Sequence, residues 1–367
     1  RDLMLTLDDQ LQQTAEALLD SALQRRSVTS RQAAGAGGAI VVMDVHSGAI
    51  LAAASAPGFD PNAFAQGSAT EVSAVLADPA CPLLDRVARM AIAPGSVFKI
   101  VTALALVEHA VVDPSEPYAC GGYLEQPDRL RCAVYRRYGV GHGEVTLADA
   151  LAQSCNVYFF HHAMQLGPDR LLRCALRLGF GQPTGIDLPH EAAGVLPGPD
   201  SIRSLEGHGW RTADTQHLAI GQGSLQVTPL QVARMMAAVA NGGWLVTPHV
   251  VRALGLPELP DEQAPTDLPG LCTDPLHIPP PRPIPGLSPS SLAEIREGLR
   301  RVVCDPRGTA HGTVRIEGLK VSGKTGTAET AVEGADHAWF AGYAPSENPR
   351  VAFVVVLEHG FDGTVAA

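Results

Sequence analysis

Apolar runs with strand-like boundaries stand near both ends of the chain, and runs with helical spacing fill the length between them. Residues 8 to 26 carry L-x-x-T-A-E-A-L-L at helical spacing, and Asp8 and Asp9 suit a first turn. A small, polar, Gly-rich stretch at 27 to 38 ends that helix. The run G-A-I-V-V-M-D-V-H-S-G-A-I-L-A-A-A-S predicts a hairpin turning at His46-Ser47-Gly48. Residues 56 to 94 predict irregular chain with short helical pieces. An apolar helix opened by Ser96 is expected to run to about His109. Residues 113 to 143, rich in Gly, Tyr, Arg and Cys, predict a small ordered excursion. T-L-A-D-A-L-A-Q-S and Val157 to Leu166 predict two short helices. A further helix follows Pro229, from Leu230 to Ala240, and stops at Asn241-Gly242. Residues 256 to 289 have recurring prolines and no hydrophobic period, which predicts a Pro-rich surface insertion. Ser290 to Val303 is helical in pattern. L-K-V-S-G-K-T-G-T-A-E predicts a strand, and W-F-A-G-Y-A-P with V-A-F-V-V-V-L-E predicts a second hairpin. No internal repeat is present. Strands at both ends with helices between predict an α+β fold, a largely antiparallel sheet closed by the two terminal segments with helices packed on it.

Composition narrows the partners. The 367 residues are 46% hydrophobic and 18% charged, a globular balance with enough chain for a large core. The net charge of −11 argues against nucleic acid and against docking on an anionic lipid surface. No uncharged apolar run of about 18 residues is present to span a membrane. The first residues, R-D-L-M-L-T-L-D-D-Q, lack an initiating Met and the pattern of a signal peptide, so the chain reads as a piece of something longer.

Three short motifs carry chemistry. Ser96 and Lys99 stand at i and i+3, on one face of a helix. A lysine buried among apolar neighbours loses its preference for the charged form and can take a proton from a serine hydroxyl. The helix start also offers free backbone N–H groups to a developing oxyanion. Alone the pair is weak, since about one S-x-x-K arises by chance in a chain this long, and a helix cap with a snorkelling lysine then explains it better. In S-C-N, Ser154 and Asn156 would face one site and Cys155 the other side. In K-T-G-T, Lys324 and Gly326 would face one way along a strand, with Thr325 and Thr327 facing the other. Gly326 would let a substrate backbone approach, and the lysine and hydroxyls could bind a carboxylate.

The three motifs in this order are the set used by penicillin-binding proteins and serine β-lactamases. The chain resembles the transpeptidase domain of class B penicillin-binding proteins, most closely the elongation type. The resemblance covers nearly the whole length, as one transpeptidase domain. It includes L-T-L-D-D-Q-L-Q-Q-T-A-E, S-A-P-G-F-D-P-N-A-F, P-G-S-V-F-K, T-G-I-D-L-P, A-I-G-Q-G-S-L-Q-V-T-P-L-Q, G-K-T-G-T-A and W-F-A-G-Y-A-P. It implies a penicillin-binding protein/serine β-lactamase-like fold, with a mostly helical subdomain beside the antiparallel sheet. It implies that Ser96 attacks the carbonyl between two terminal D-alanines of a peptidoglycan stem and that Lys99 is the base. Ser154 would pass the proton to the leaving amine, Lys324 would complete the network, and Asn156 would hold the acyl side-chain amide. Thr325 and Thr327 would bind the terminal carboxylate, and the N–H groups of Ser96 and Thr327 would form the oxyanion hole. An amine of a second stem would then take the acyl group, and β-lactams would stall on Ser96. The resemblance also implies an extracytoplasmic site at a bacterial membrane, an N-terminal anchor and pedestal that this chain lacks, and partners that include a polytopic glycan polymerase and other elongation-complex proteins. Two departures stand out. L-L-D-R-V puts Asp85 where the family prefers Asn, and the chain stops at G-F-D-G-T-V-A-A, where the family runs on into a helix packed on the sheet. A serine β-lactamase, a non-catalytic penicillin-binding sensor and a D,D-carboxypeptidase are the competing readings. The chain shows neither S-D-N nor a placed E-x-x-x-N for rapid deacylation.

Seven cysteines leave one over from any complete set of disulfides. Cys120, Cys132, His142 and Cys155 lie between the first two motifs. Three thiolates and an imidazole make a structural zinc set, and a zinc ion at this place is what the resemblance implies. A Cys120–Cys132 disulfide, or buried free thiols with a core histidine, are the alternatives. A metal would fix Cys155 and with it Ser154 and Asn156. Cys81, Cys174, Cys272 and Cys304 read as ordinary buried or loop thiols.

Overall fold

The apolar runs at the two ends of the chain pair with each other. The structure, a computed structural model, describes residues 3–29, 36–254, 278–330, 335–360 and 363–367. Five strands form the main sheet: β1 (Gly38–Asp44), β2 (Ile50–Ala56), β3 (Ser322–Ala328), β4 (His337–Ala344) and β5 (Val351–Leu357). Their order is β2-β1-β5-β4-β3, antiparallel throughout. Val41 stands opposite Val354, so the sheet closes only when both ends of the chain are present. The strand of K-T-G-T, β3, is one edge. The expected hairpin turn is there, with Asp44 accepting hydrogen bonds from the N–H groups of His46 and Ser47 at 3.0 and 2.8 Å.

The two-residue period of the strands sorts the core into two layers. Ala39, Val41 and Met43 of β1, with Trp339, Ala341 and Tyr343 of β4, face the larger core. That layer holds α2 (Lys99–Glu108) and α6 (Pro229–Ala240), which are apolar nearly all round and therefore buried. On the other face, Ala15 and Leu19 of α1 (Asp9–Thr29) pack on Ala52, Ala54 and Ala56 of β2. Val302 and Val303 at the end of α7 (Pro289–Cys304) join them, and so does Ala366 of the short α8 (Gly363–Ala366). Beyond α2 stand α4 (Leu147–Ala152) and α5 (Asn156–Leu166), both packed on it, with α3 (Ala133–Tyr138) before them in the chain.

The predicted elements recur with small shifts. Helix α1 runs to Thr29, past the expected break at 27. The excursion at 113 to 143 is ordered by a two-stranded ladder, Tyr118–Cys120 on Gly143–Val145, with α3 between. Of the Pro-rich insertion, residues 256–277 lie outside the described residues. Its return is anchored to the body: Arg282–Pro283 pairs with Trp244–Leu245, and Ile284 is buried.

Arg86 stitches the approach to Ser96 onto the sheet. It is 2% exposed. Its Nε binds Glu358 Oε2 at 3.1 Å, and its Nη groups donate to the carbonyls of Ala80 and Cys81 at 2.8 and 3.2 Å. Glu358 follows β5 and also accepts from the N–H of Gly37, just before β1, at 2.7 Å. Asp85, the family departure, accepts from the N–H groups of Val87 and Ala88 at 2.9 and 3.3 Å. A carboxylate caps this turn as an amide oxygen would, so the departure costs the fold nothing visible. Arg86→Met removes the buried guanidinium from a half-buried carboxylate and two loop carbonyls. It is expected to destabilise the protein by about 3 kcal/mol in urea unfolding; a change below about 0.5 kcal/mol would refute the stitch.

Candidate active site

Proline, glycine and strand β3 together place Ser96. The expected α-helical start is instead one 3-10 turn, Gly95–Phe98, after which α2 begins at Lys99 itself. The tighter turn follows from Gly95, whose φ is +54°. A Cβ there would lie 2.3 Å from the carbonyl oxygen of Thr327, so only glycine lets the turn meet β3. Gly326 has the matching role from the strand: a Cβ would lie 2.7 Å from Pro94 O and 2.9 Å from Val97 Cγ2. The expectation that Gly326 admits a substrate backbone concerns the strand's other approaches, since its Cβ direction is already filled. What lies against it is the protein's own serine turn. Trp339 of β4 donates to Ala93 O at 3.0 Å, and Gly95 N donates to Gly221 O at 2.9 Å, completing the cradle.

Lys99 is fully buried and holds the second motif. Its Nζ donates to Ser154 O at 2.8 Å, Ser154 Oγ at 3.1 Å and Asn156 Oδ1 at 2.6 Å. Among the described residues no hydrogen bond joins the half-buried Ser96 hydroxyl to Lys99. The two share a face of one turn, as expected, but the lysine's bonds all go across to the S-C-N segment. Ser154 sits at φ +55°, strained for a residue with a side chain, where the chain leaves α4 and enters α5. Asn156 is used at both ends, since its Nδ2 donates to Arg131 O at 3.0 Å.

Lys324 is likewise fully buried, with its Nζ donating to Thr325 O at 3.1 Å. Its expected link to Ser154 is not among the hydrogen bonds of the described residues. Burial draws Lys99 down to about 8, against the pull of the thiols of Cys132 and Cys155. Burial, then the charge of Lys99, push Lys324 well below the ordinary lysine range. Thr325 and Thr327 stand at the alternate positions of β3 from Lys324. Thr325 Oγ1 lies 2.7 Å from Thr309 Oγ1, and Thr327 Oγ1 accepts from Gly363 N at 3.0 Å.

Some of the machinery escaped sequence reasoning. Gln222 Nε2 donates to Thr327 O at 3.2 Å and steadies the strand end beside Ser96. A lone amide in the run I-G-Q-G was its only signal. Thr309 gave none. A stronger clue was available in the lysines: the chain has three, Lys99, Lys320 and Lys324, and two of them are buried here.

The four candidate metal ligands converge behind Ser154 and Asn156. The Sγ atoms of Cys120, Cys132 and Cys155 and a nitrogen of His142 all lie within 4.8 Å of one another. Cys120 and Cys132 are 3.8 Å apart, Cys132 and Cys155 3.7 Å, Cys155 and Cys120 3.5 Å, and His142 Nδ1 is 3.5 Å from Cys120. All three cysteines are free and buried, so the proposed Cys120–Cys132 disulfide is not the bond present. Cys155 caps α5, taking the N–H of Tyr158 at 3.4 Å, while Cys132 takes that of Val157 at 3.5 Å. Helix N–H groups favour thiolates, against the burial that pushes the Cys155 thiol well above its ordinary range. Hydrogen bonds from Cys132 and Cys155 hold the Cys120 thiol far below its ordinary range, and His142 is raised to about 9 because its contacts with Cys120 and Cys132 outweigh burial. Soft donors, tight convergence and helix N–H support fit a tetrahedral zinc ion. Of the remaining cysteines, Cys174 is buried, Cys81 and Cys304 are exposed, and Cys272 lies outside the described residues.

A family model of the penicillin binding protein transpeptidase domain matches residues 38–367. The peptidoglycan D,D-transpeptidase MrdA of Acinetobacter baumannii is 32% identical over 95% of this chain and 51% of its own length. Penicillin-binding protein 2 of Pseudomonas aeruginosa, solved with the compound WCK 5153, has a TM-score of 0.78 at 32% identity, covering 100% of this chain and 76% of that one. The Helicobacter pylori penicillin-binding protein 2 in complex with MreC has a TM-score of 0.81 at 28% identity, covering 99% of this chain and 61% of that one. The chain spans about half the length of the curated relatives it matches. The α+β fold expected from the motifs is the fold observed.

With three lysines, protein labelled with 13C at lysine Cε should give three resolvable NMR signals. The Lys99 signal is expected to turn over near pH 8. A midpoint at the ordinary lysine value near 10.5 would contradict the burial argument.

Proposed function

The chain belongs to the penicillin-binding protein transpeptidase family, and from that premise we propose that it is a peptidoglycan D,D-transpeptidase of the cell-elongation type. The observation that carries this reading is the fully buried Lys99, one turn behind Ser96, bonded to Ser154 and Asn156 and drawn down to about 8, with the buried Lys324 near enough to feel its charge. A neutral Lys99 takes the proton of Ser96 as its oxygen attacks the carbonyl between the two terminal D-alanines of a stem peptide. The N–H groups of Ser96 and Thr327 would receive the oxyanion, and the Gly95–Thr327 contact is what would keep them close. Ser154, already bonded to Lys99, relays the proton to the departing D-alanine amine. That step leaves an ester on Ser96, which the amine of a second stem opens to form the cross-link. Lys324 supplies positive charge beneath β3 when protonated, and Thr325 and Thr327 would take the terminal carboxylate once released from Thr309 and Gly363.

The Cys120, Cys132, His142 and Cys155 set would hold a structural zinc ion. Bound there, the ion supplies a fixed junction and no chemistry of its own. Cys155 is flanked by Ser154 and Asn156, so fastening its sulfur fastens both partners of Lys99. The site would work on the extracytoplasmic side of a bacterial membrane. No helix among the described residues is long and apolar enough to cross one. An elongation-complex partner is favoured by the MreC complex of the Helicobacter pylori relative.

Intact-protein mass spectrometry with a penicillin should show one stable adduct, lost in Ser96→Ala. Its rate should rise about tenfold from pH 7 to pH 9, because the base must be neutral and its neutral fraction grows through pH 8. No adduct, or rapid turnover of the drug, would refute the transpeptidase reading. Elemental analysis should give one zinc per chain, and Cys155→Ser should lose both the metal and most of the acylation rate. A wild-type protein purified without metal and fully active would overturn the zinc assignment.

A further inference from the structure

Residues 129–143 hold four arginines (Arg129, Arg131, Arg136 and Arg137) and no acidic side chain, in a chain of net charge −11. This segment is one wall of the site. Its inner end is fastened to the catalytic floor, where Arg131 O accepts from Asn156, the partner of Lys99. Its outer end reaches across to the opposite wall. There Arg136 Nη1 meets Glu329 Oε1 at 2.6 Å. Glu329 stands two residues beyond Thr327, just past the end of β3. The pair therefore ties the excursion to the end of the strand that carries Lys324 to Thr327. Arg136 and Glu329 are 50% and 57% exposed. Among the described residues neither side chain has another hydrogen bond or ion pair.

An exposed ion pair contributes about 0–1 kcal/mol, so this one opens readily. A guanidinium freed from one carboxylate is ready for another, and its flat fork matches a carboxylate in two-pronged geometry. Arg129, Arg131 and Arg137 lie on the same segment, which Asp128 and Glu144 border at its two ends. We propose that Arg136 is a specificity residue that receives a carboxylate of the stem peptide, upstream of its terminal D-alanines, and that Glu329 is the internal occupant it exchanges. The proposal rests on the transpeptidase reading above. The carboxylate concerned is distinct from the terminal one assigned to Thr325 and Thr327. It belongs to the donor stem or to the acceptor stem, and the two are separable by which half of the reaction responds.

The test uses synthetic stem peptides ending in D-Ala-D-Ala, with their internal carboxylate either free or converted to an amide. Acylation of Ser96 is followed by mass spectrometry with these peptides as donors, and transfer is followed with the same pair as acceptors. Wild-type protein should prefer the free carboxylate in one of the two arms. Arg136→Gln should raise KM for that peptide about tenfold, leave kcat nearly unchanged and abolish the preference for carboxylate over amide. Glu329→Gln, which removes the competitor, should lower KM for the carboxylate peptide and leave the amide peptide alone. A thermal melt and a full penicillin adduct at long incubation establish that each variant is folded. Equal use of both peptides by the wild type, or a preference that survives in Arg136→Gln, overturns the proposal while the transpeptidase reading stands. Failure of every peptide, amidated ones included, to acylate wild-type Ser96 instead sinks that reading and this one with it.

Discussion

Two ammonium groups cannot both remain charged in one dry site. Lys99 and Lys324 are fully buried; burial makes both protons harder to keep, and the charge of Lys99 adds to this for Lys324. Much of the structure serves to hold them there. Helix α2, apolar nearly all round, carries Lys99 into the core, and edge strand β3 brings Lys324 in from the other side. The sheet that supports β3 exists only because the N-terminal hairpin pairs with β5. The reward of this arrangement is a proton acceptor close to neutral pH beside a hydroxyl that lacks one.

The serine turn shows how closely the parts must meet. Glycines at 95 and 326 let the backbone before Ser96 lie against β3 at distances a single methyl group would forbid. Arg86 fixes the approach to that turn, and Trp339 and Gln222 fix its sides. Behind it, the three thiols and His142 converge on the segment that contains Ser154 and Asn156. The strained φ at Ser154 is held because both neighbours of that residue are tied down, one by the cysteine cluster and one by α4.

Much of this was legible in the chain. The hairpins at 38–56 and 337–357 announced themselves by apolar runs around turn residues, and α2 and α6 by unbroken apolar patterns with clear ends. Ser96, Lys99, Ser154, Asn156 and Lys324 were found as motifs, and the structure gathers them into one place. What stayed hidden depended on contacts between distant segments. Gly95 permits the 3-10 turn at Ser96, but the turn meets β3, more than 200 residues away in the chain, and that approach is not written in the local sequence. The bonds of Lys99 to Ser154 and Asn156, in place of Ser96, depend on where the cysteine cluster puts that loop. The ion pair of Arg136 with Glu329 joins residues 193 apart. Thr309 looked like any loop threonine until β3 was laid beside it.

The scarcity of lysine has a chemical meaning beyond the two buried ones. Of 27 basic residues, 24 are arginine, whose guanidinium keeps its proton and does not attack esters. Lys320 is the only lysine with a side chain open to solvent, 67% exposed and paired with Glu347. On the reading proposed above, an ester waits on Ser96 for an amine from another strand. The protein's own surface offers it almost no lysine rival, so the wait is shielded from self-modification by the choice of cation as well as by the shape of the site.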